Sequence, residues 1–207
     1  MASYIIVSII AYLLGSISFS VIFSKKFAGI DVRTQGSGNA GSTNVLRTVG
    51  KKAAALTLLC DCLKGILAVL IAIIAGNIAS GTDKALLVQL AAIFVVLGHT
   101  FPILFGFKGG KGVATSLGVI LIINWKIGLI CLVFALVLMA FSKIVSLGSV
   151  AAAILFPILT VFIHTNYIVE GNYIIFGIIL AAFVLYNHRA NISRLLEGKE
   201  NKINFNK

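Results

Sequence analysis

The chain alternates long apolar runs with short polar stretches, and the length of those runs decides its class. The runs at 4–23, 53–75 and 85–105 each have about the ~20 residues that an α-helix needs to cross a bilayer. A soluble domain is roughly half apolar and about a quarter charged. This chain of 207 residues is 59% hydrophobic and only 11% charged. A soluble globule of that size could not hide so much apolar surface. The sequence predicts an all-α integral membrane protein, a single polytopic domain over 1–207.

The expected spans are 4–23, 53–75, 85–105, 113–123, 127–141, 144–163 and 173–186. The first run lacks a charged leader and a clear cleavage site, so it reads as a retained span stopped by Lys25 and Lys26. The stretch 113–141 is too long for one comfortable span and is interrupted by Asn124-Trp125-Lys126. It is one tilted helix or two short ones. Charge parity favours two. The polar segments 24–52, 106–112 and 187–207 carry 6, 2 and 5 Lys or Arg. Cytoplasmic loops are the ones enriched in these residues. Placing all three inside requires seven transmembrane helices, some short or tilted, with the N-terminus outside and the C-terminus cytoplasmic. With Lys143, which also falls inside, 14 of the 17 Lys and Arg then lie inside, Lys84 and Lys126 outside and Lys64 within a span. The net charge of +11 therefore signals topology before nucleic acid, and no nucleic-acid partner is expected.

Three polar stretches fall on the inner face in that topology. Gly36 to Arg47, GSGNAGSTNVLR, is almost free of large side chains. Its glycines allow close backbone approach, as at Gly38. Ser37, Asn39, Thr43 and Asn44 supply short donors, and Arg47 a planar cation that can grip a phosphate with two hydrogen bonds. Such a loop suits an oxyanion held by backbone N–H groups; the plainer reading is a polar connector. Gly98 to Gly112 ends in FKGGKG, with Lys108, Gly109, Gly110 and Lys111 offering two ammonium groups and main-chain donors together. A basic cap at the membrane interface would explain the lysines but not the glycines.

The third stretch begins as the last span ends, at Asn187-His188-Arg189-Ala190-Asn191. His188 and Asn191 lie three apart on one helix face. A histidine is the usual general base near neutral pH, and a neighbouring amide can orient a hydroxyl or stabilise developing charge. Alone, His188 would read as an interfacial histidine. With Asn191 and Arg189 beside it and two cationic glycine loops on the same face, it reads as catalytic. His99, at a span end, reads as structural, and His164 falls on the opposite face. Asp61 and Lys64 sit three apart inside a span, where charges are costly and usually paired or functional. They read as an intrahelical pair supporting the fold, or as a brace beneath the polar site.

Several patterns mislead. Gly36 to Gly41 matches G-x-G-x-x-G, but membrane spans flank it, not a βαβ unit. Gly110-Lys111 is followed by Gly112, so it is not a Walker A loop. Cys60, Cys62 and Cys131 lie in apolar runs and read as packing thiols. No acidic cluster suggests a tightly held metal, and no metal or other cofactor is expected.

Together, GSGNAGSTNVLR at 36–47, GHTFPILFGFKGGKGVAT at 98–115 and HRANISRLLEGKE at 188–200 resemble the bacterial acyl-phosphate:glycerol-3-phosphate acyltransferase (PlsY) family. The resemblance runs along nearly the whole chain. It implies a phospholipid-synthesis enzyme of the bacterial cytoplasmic membrane, with seven helices and an active site facing the cytoplasm. The implied reaction moves an acyl group from acyl phosphate to the 1-hydroxyl of sn-glycerol 3-phosphate, giving lysophosphatidic acid and phosphate. The partners implied are those two substrates and membrane lipid, with one chain sufficient. Arg47, Lys108, Lys111 and Arg189 would meet the phosphates, and either His188 or a substrate phosphate would take the proton. A transporter for a small phosphate-bearing anion would use the same cations. It would, however, be expected to place binding groups near the midplane, where this chain carries only Asp61 and Lys64.

Overall fold

The computed structural model describes residues 1–163 and 173–203. His164 and the rest of 164–172 lie outside them, as do 204–207. Every regular element among the described residues is a helix. The helices fall into two compact groups, Met1–Ile122 and Ile123–Lys207.

In the first group, the expected span 4–23 is longer and broken. It runs as α1 (Ala2–Gly15) and α2 (Phe19–Ala28). Lys25 and Lys26 do not stop it. They sit in the last turn of α2, where cations complement the helix dipole. Gly29 ends the helix instead, at φ +67°, with its N–H donating to the Lys25 carbonyl at 3.0 Å. After α3 (Ser42–Thr48), α4 runs for 28 residues over Lys51–Ile78, past the expected 53–75 at both ends. Asp83 caps α5 (Lys84–Thr100), its carboxylate accepting from the Ala85 and Leu86 N–H groups at 2.9 and 3.2 Å. α6 (Val113–Ile123) is an apolar helix of only 11 residues.

These helices pack through small residues, as membrane helices do where lipid offers no hydrophobic drive. A Cβ on Gly15 would overlap the Val95 carbonyl, and one on Gly98 the Tyr12 carbonyl, so α1 and α5 touch backbone to backbone. Gly65 and Gly118 do the same for α4 and α6.

The break in the first span is stabilised by a charge. Ending α1 at Gly15 leaves carbonyls without helical partners. Lys64 of α4 reaches them, its ammonium donating to the carbonyls of Gly15 at 2.9 Å and Ile17 at 2.8 Å. The same nitrogen pairs with Asp61 at 2.9 Å, and both side chains are 3% exposed. The Asp61–Lys64 pair thus does more than neutralise itself on one helix. Removing one member of a buried pair strands the other, at about 3–5 kcal/mol. Lys64→Met is expected to lower the melting temperature of the protein in detergent markedly. Asp61→Asn added to it should recover much of the loss, because no lone charge then remains.

In the second group, α7 (Trp125–Ser142) begins two residues before the expected 127. Asn124 explains both the start and the break after α6. Its side-chain oxygen accepts from the Ile127 N–H, and its amide donates to the Ile163 carbonyl, both at 3.3 Å. The stretch 113–141 is therefore two helices. α8 (Val145–Phe162) packs on α7 through Gly148, whose Cβ would meet the Ala135 carbonyl. α9 (Tyr173–Asn187) packs on α8 through Phe176 against Phe156, edge to face at 6.2 Å. α10 (Arg189–Leu196) turns away from α9 by 67°.

Among the described residues, five segments are long and apolar enough to cross a membrane: Ala2–Ala28, Lys51–Ile78, Lys84–Phe105, Trp125–Ser142 and Val145–Phe162. The bent pair α9–α10 makes a sixth, and α6 is a shorter apolar helix. This is a multi-pass membrane protein.

Candidate functional site

Two of the three polar stretches come together in the first group. The loop from 31 to 41 closes on itself through one buried side chain. Asn44, 2% exposed, donates from its amide to the carbonyls of Val32 and Gln35, both at 2.9 Å, and of Asn39 at 3.1 Å. Its oxygen accepts the Ser37 N–H at 3.1 Å. Gly36 passes close over that oxygen at φ +56°, a conformation and a clearance that only glycine permits. Asn44, counted from sequence among the substrate donors, is spent on holding the loop's shape. Ser37 and Gly38 face outward at its tip, Asn39 and Thr43 are half-buried, and Arg47 is exposed on α3.

The second stretch lies against the first. The Ala40 N–H donates to the Gly109 carbonyl at 3.3 Å. Gly109 and Gly110 in turn donate to the carbonyls of Thr100 and His99, each at 3.1 Å. Gly110 sits where a Cβ would overlap both the His99 ring and the Ala40 carbonyl. The glycines thus let three backbone segments meet. Lys108 is exposed and Lys111 half-buried on this loop.

A second tether was not legible from sequence. Arg33 forks onto Asp31, Nε to Oδ1 at 2.9 Å and Nη2 to Oδ2 at 2.6 Å, while Nη1 donates to the Phe105 carbonyl at 2.5 Å. The only signal was that Asp31 is the lone acid in a basic loop. The Arg33 hydrogen bonds hold the Asp31 carboxyl down at about 2, below the ordinary 3.8, against a smaller upward push from burial. A carboxylate with a lowered folded-state pKa stabilises above its unfolded value and ceases to do so as pH falls through the folded one. This contribution is therefore present above about pH 4 and is lost between about pH 4 and 2. Asp31→Asn should flatten stability against pH in that window, measured by thermal melts in detergent.

The third stretch belongs to the second group. His188 occupies the bend between α9 and α10 and is 3% exposed. Its Nδ1 lies 2.8 Å from the Val184 carbonyl, which can only accept, so Nδ1 carries a proton and in the neutral ring Nε2 carries the lone pair. Asn191, 7% exposed, donates to Glu200 Oε1 at 2.9 Å, and Arg194 Nε donates to Oε2 at 2.7 Å. Burial would raise the Glu200 carboxyl, but hydrogen bonds from Asn191 and Arg194 hold it below its usual range. Glu200 was quoted from sequence without a role; here it orients Asn191. Arg189 folds back on Tyr186, donating to its carbonyl at 3.0 Å with the guanidinium 4.5 Å from the ring centre. Among the described residues no three His, Cys, Asp or Glu side chains cluster as metal ligands.

Apolar spans and a glycine-framed loop pair carrying Lys108 and Lys111 define a multi-pass membrane protein with a cationic polar surface. A family model described as glycerol-3-phosphate acyltransferase matches residues 5–198, and the chain belongs to that family. It is 53% identical over 201 residues to a glycerol-3-phosphate acyltransferase of Clostridioides difficile, covering 97% of this chain and 96% of that one. It is 44% identical over 196 residues to one of Neisseria meningitidis, covering 94% of each. Among solved structures it resembles PlsY, an integral membrane glycerol 3-phosphate acyltransferase. The glycerol 3-phosphate form matches with a TM-score of 0.85 at 39% identity, covering 98% of this chain and 96% of that one. The lysophosphatidic acid form matches at 0.83 and 38%, with the same coverage.

Proposed function

We propose that this protein transfers an acyl group from acyl phosphate to the 1-hydroxyl of sn-glycerol 3-phosphate, giving lysophosphatidic acid and inorganic phosphate. The observation that carries the reading is the junction of two glycine loops through Ala40 and Gly109, bearing Arg47, Lys108 and Lys111, in a chain of this family. Both substrates bear a phosphate, so the site calls for several cations. Arg47, Lys108 and Lys111 meet phosphate charge, and Ser37, Gly38, Asn39, Thr43, Gly109 and Gly110 frame it with short donors and backbone. Asn44 acts behind them by holding the first loop. Arg189 adds a cation near the bend.

Acyl phosphate is a mixed anhydride with a good leaving group, so positioning and charge stabilisation supply most of the catalysis. The 1-hydroxyl oxygen bonds to the acyl carbonyl carbon. The bond from that carbon to the bridging oxygen breaks, and phosphate leaves with the electron pair. His188 Nε2 takes the hydroxyl proton, and Asn191 orients the attacking hydroxyl. No acyl-enzyme is formed. The acyl chain lies in lipid between helices. Charge distribution supports seven crossings, with α6 and α9 included, and a cytoplasmic active site; the protein acts as a monomer in a bacterial inner membrane.

The test is phosphate release from palmitoyl phosphate by the purified protein in lipid, with and without glycerol 3-phosphate. Release that depends on glycerol 3-phosphate, with equimolar lysophosphatidic acid, is the expected result. No release from a folded sample would overturn the reading and favour anion transport.

A further inference from the structure

We infer that His99 is a positioning residue for the Lys108–Gly112 loop, held in place by the buried Asp61–Lys64 pair. The inference rests on the phosphate-binding role given to that loop above. His99 is 7% exposed at the last turn of α5, and its Nδ1 lies 3.5 Å from Asp61 Oδ1. Its other ring edge faces the loop, since a Cβ on Gly110 would overlap Nε2. Its carbonyl accepts the Gly110 N–H at 3.1 Å. One residue therefore contacts the loop through both ring and backbone, while the Asp61 carboxylate faces its ring from behind at 3.5 Å.

The anchor continues on the far side. Asp61 pairs with Lys64, and Lys64 is fixed by the Gly15 and Ile17 carbonyls at the break in the first span. Beyond Gly110 lies the Ala40 carbonyl of the first loop. A continuous line of contacts thus runs from the α1–α2 break through α4 and α5 to the meeting of the two loops. Neutralising a buried charge needs only Asp61 and Lys64. The placement of His99 between carboxylate and glycine loop has a different result: the loop cannot shift without moving a ring carried by α5 and paired with Asp61 of α4.

The experiment compares His99→Leu, His99→Asn and Lys111→Ala with the wild type in lipid, measuring KM for each substrate, kcat and hydrogen exchange across 104–112. Lys111→Ala identifies the substrate whose phosphate the loop holds. His99→Leu should raise KM for that same substrate about tenfold or more, on the way to the hundredfold losses that misplacements of about 1 Å cause. Exchange in the loop should accelerate and kcat should change little. His99→Asn, whose amide can replace Nδ1, should restore both values towards wild type. Asp61→Leu combined with Lys64→Met removes the carboxylate without leaving a lone buried charge, and carries the same expectations if His99→Leu does not fold. Wild-type KM and exchange in His99→Leu, or a lowered melting temperature with both unchanged, would overturn the inference. If Lys111→Ala alters neither KM, the loop's phosphate role fails, and hydrogen exchange still decides whether His99 holds the loop.

Discussion

His188→Ala is expected to lower kcat for glycerol-3-phosphate-dependent phosphate release by about 10²–10⁴-fold, the range over which a positioned general base contributes. KM for both substrates should move little, because the role proposed for the ring is to take the hydroxyl proton and not to meet phosphate charge. His188→Gln separates proton transfer from hydrogen bonding. A glutamine can place a polar atom near Nε2 but cannot accept a proton at neutral pH. If Nε2 is the base, the glutamine variant falls with the alanine variant. If a substrate phosphate takes the proton, the glutamine variant keeps most of the rate, and His188 loses the base role. The tautomer makes this test clean: the Val184 carbonyl holds Nδ1, so only one ring nitrogen carries a lone pair.

Lys111→Ala is expected to cut kcat/KM by about 10²–10³-fold, by analogy with the loss of one preorganised donor at an oxyanion. Lys111 stands in a half-buried position on a loop whose backbone is pinned at Gly109 and Gly110. A charge held there would meet the proposed phosphate without first being ordered. Lys111→Arg keeps the charge but lengthens the side chain and spreads its donors, and should recover part of the loss. Lys108 is exposed on the same loop, so its alanine variant should cost less. Steady-state kinetics in lipid, with each substrate varied in turn, reads all three. Equal effects at Lys108 and Lys111 would count against the pinned-loop argument.

The class of the protein was plain in the sequence because membrane length and composition constrain a chain locally. The break at Asn124 was also legible, since a short polar residue between two apolar runs can cap a helix by itself. What the sequence hid depends on distant partners. Ser16 and Ser18 look harmless in an apolar run, and the break they sit in is stabilised by Lys64, 49 residues beyond Gly15. Arg33 looked like one more topology charge until the Phe105 carbonyl, 72 residues away, was seen to accept from it. Asn44 reads from sequence as a substrate donor, and its role in shaping the loop was hidden because an amide serves a substrate and a loop equally well on paper. Only burial tells which it does. His99 read as structural, but the loop at its back was not visible without the fold.

The break in the first span also bears on how the chain enters the membrane. The ribosome delivers α1 and α2 first, and with them a pair of carbonyls to which Lys64 donates. Lys64 arrives later, within α4, carrying a charge that the hydrocarbon rejects unless those oxygens and Asp61 surround it. Neither segment is a good lodger alone. The two complete each other in the folded chain, so the polar groups of both are satisfied only once α4 lies beside the kinked first span, which favours their entering the bilayer as a pair.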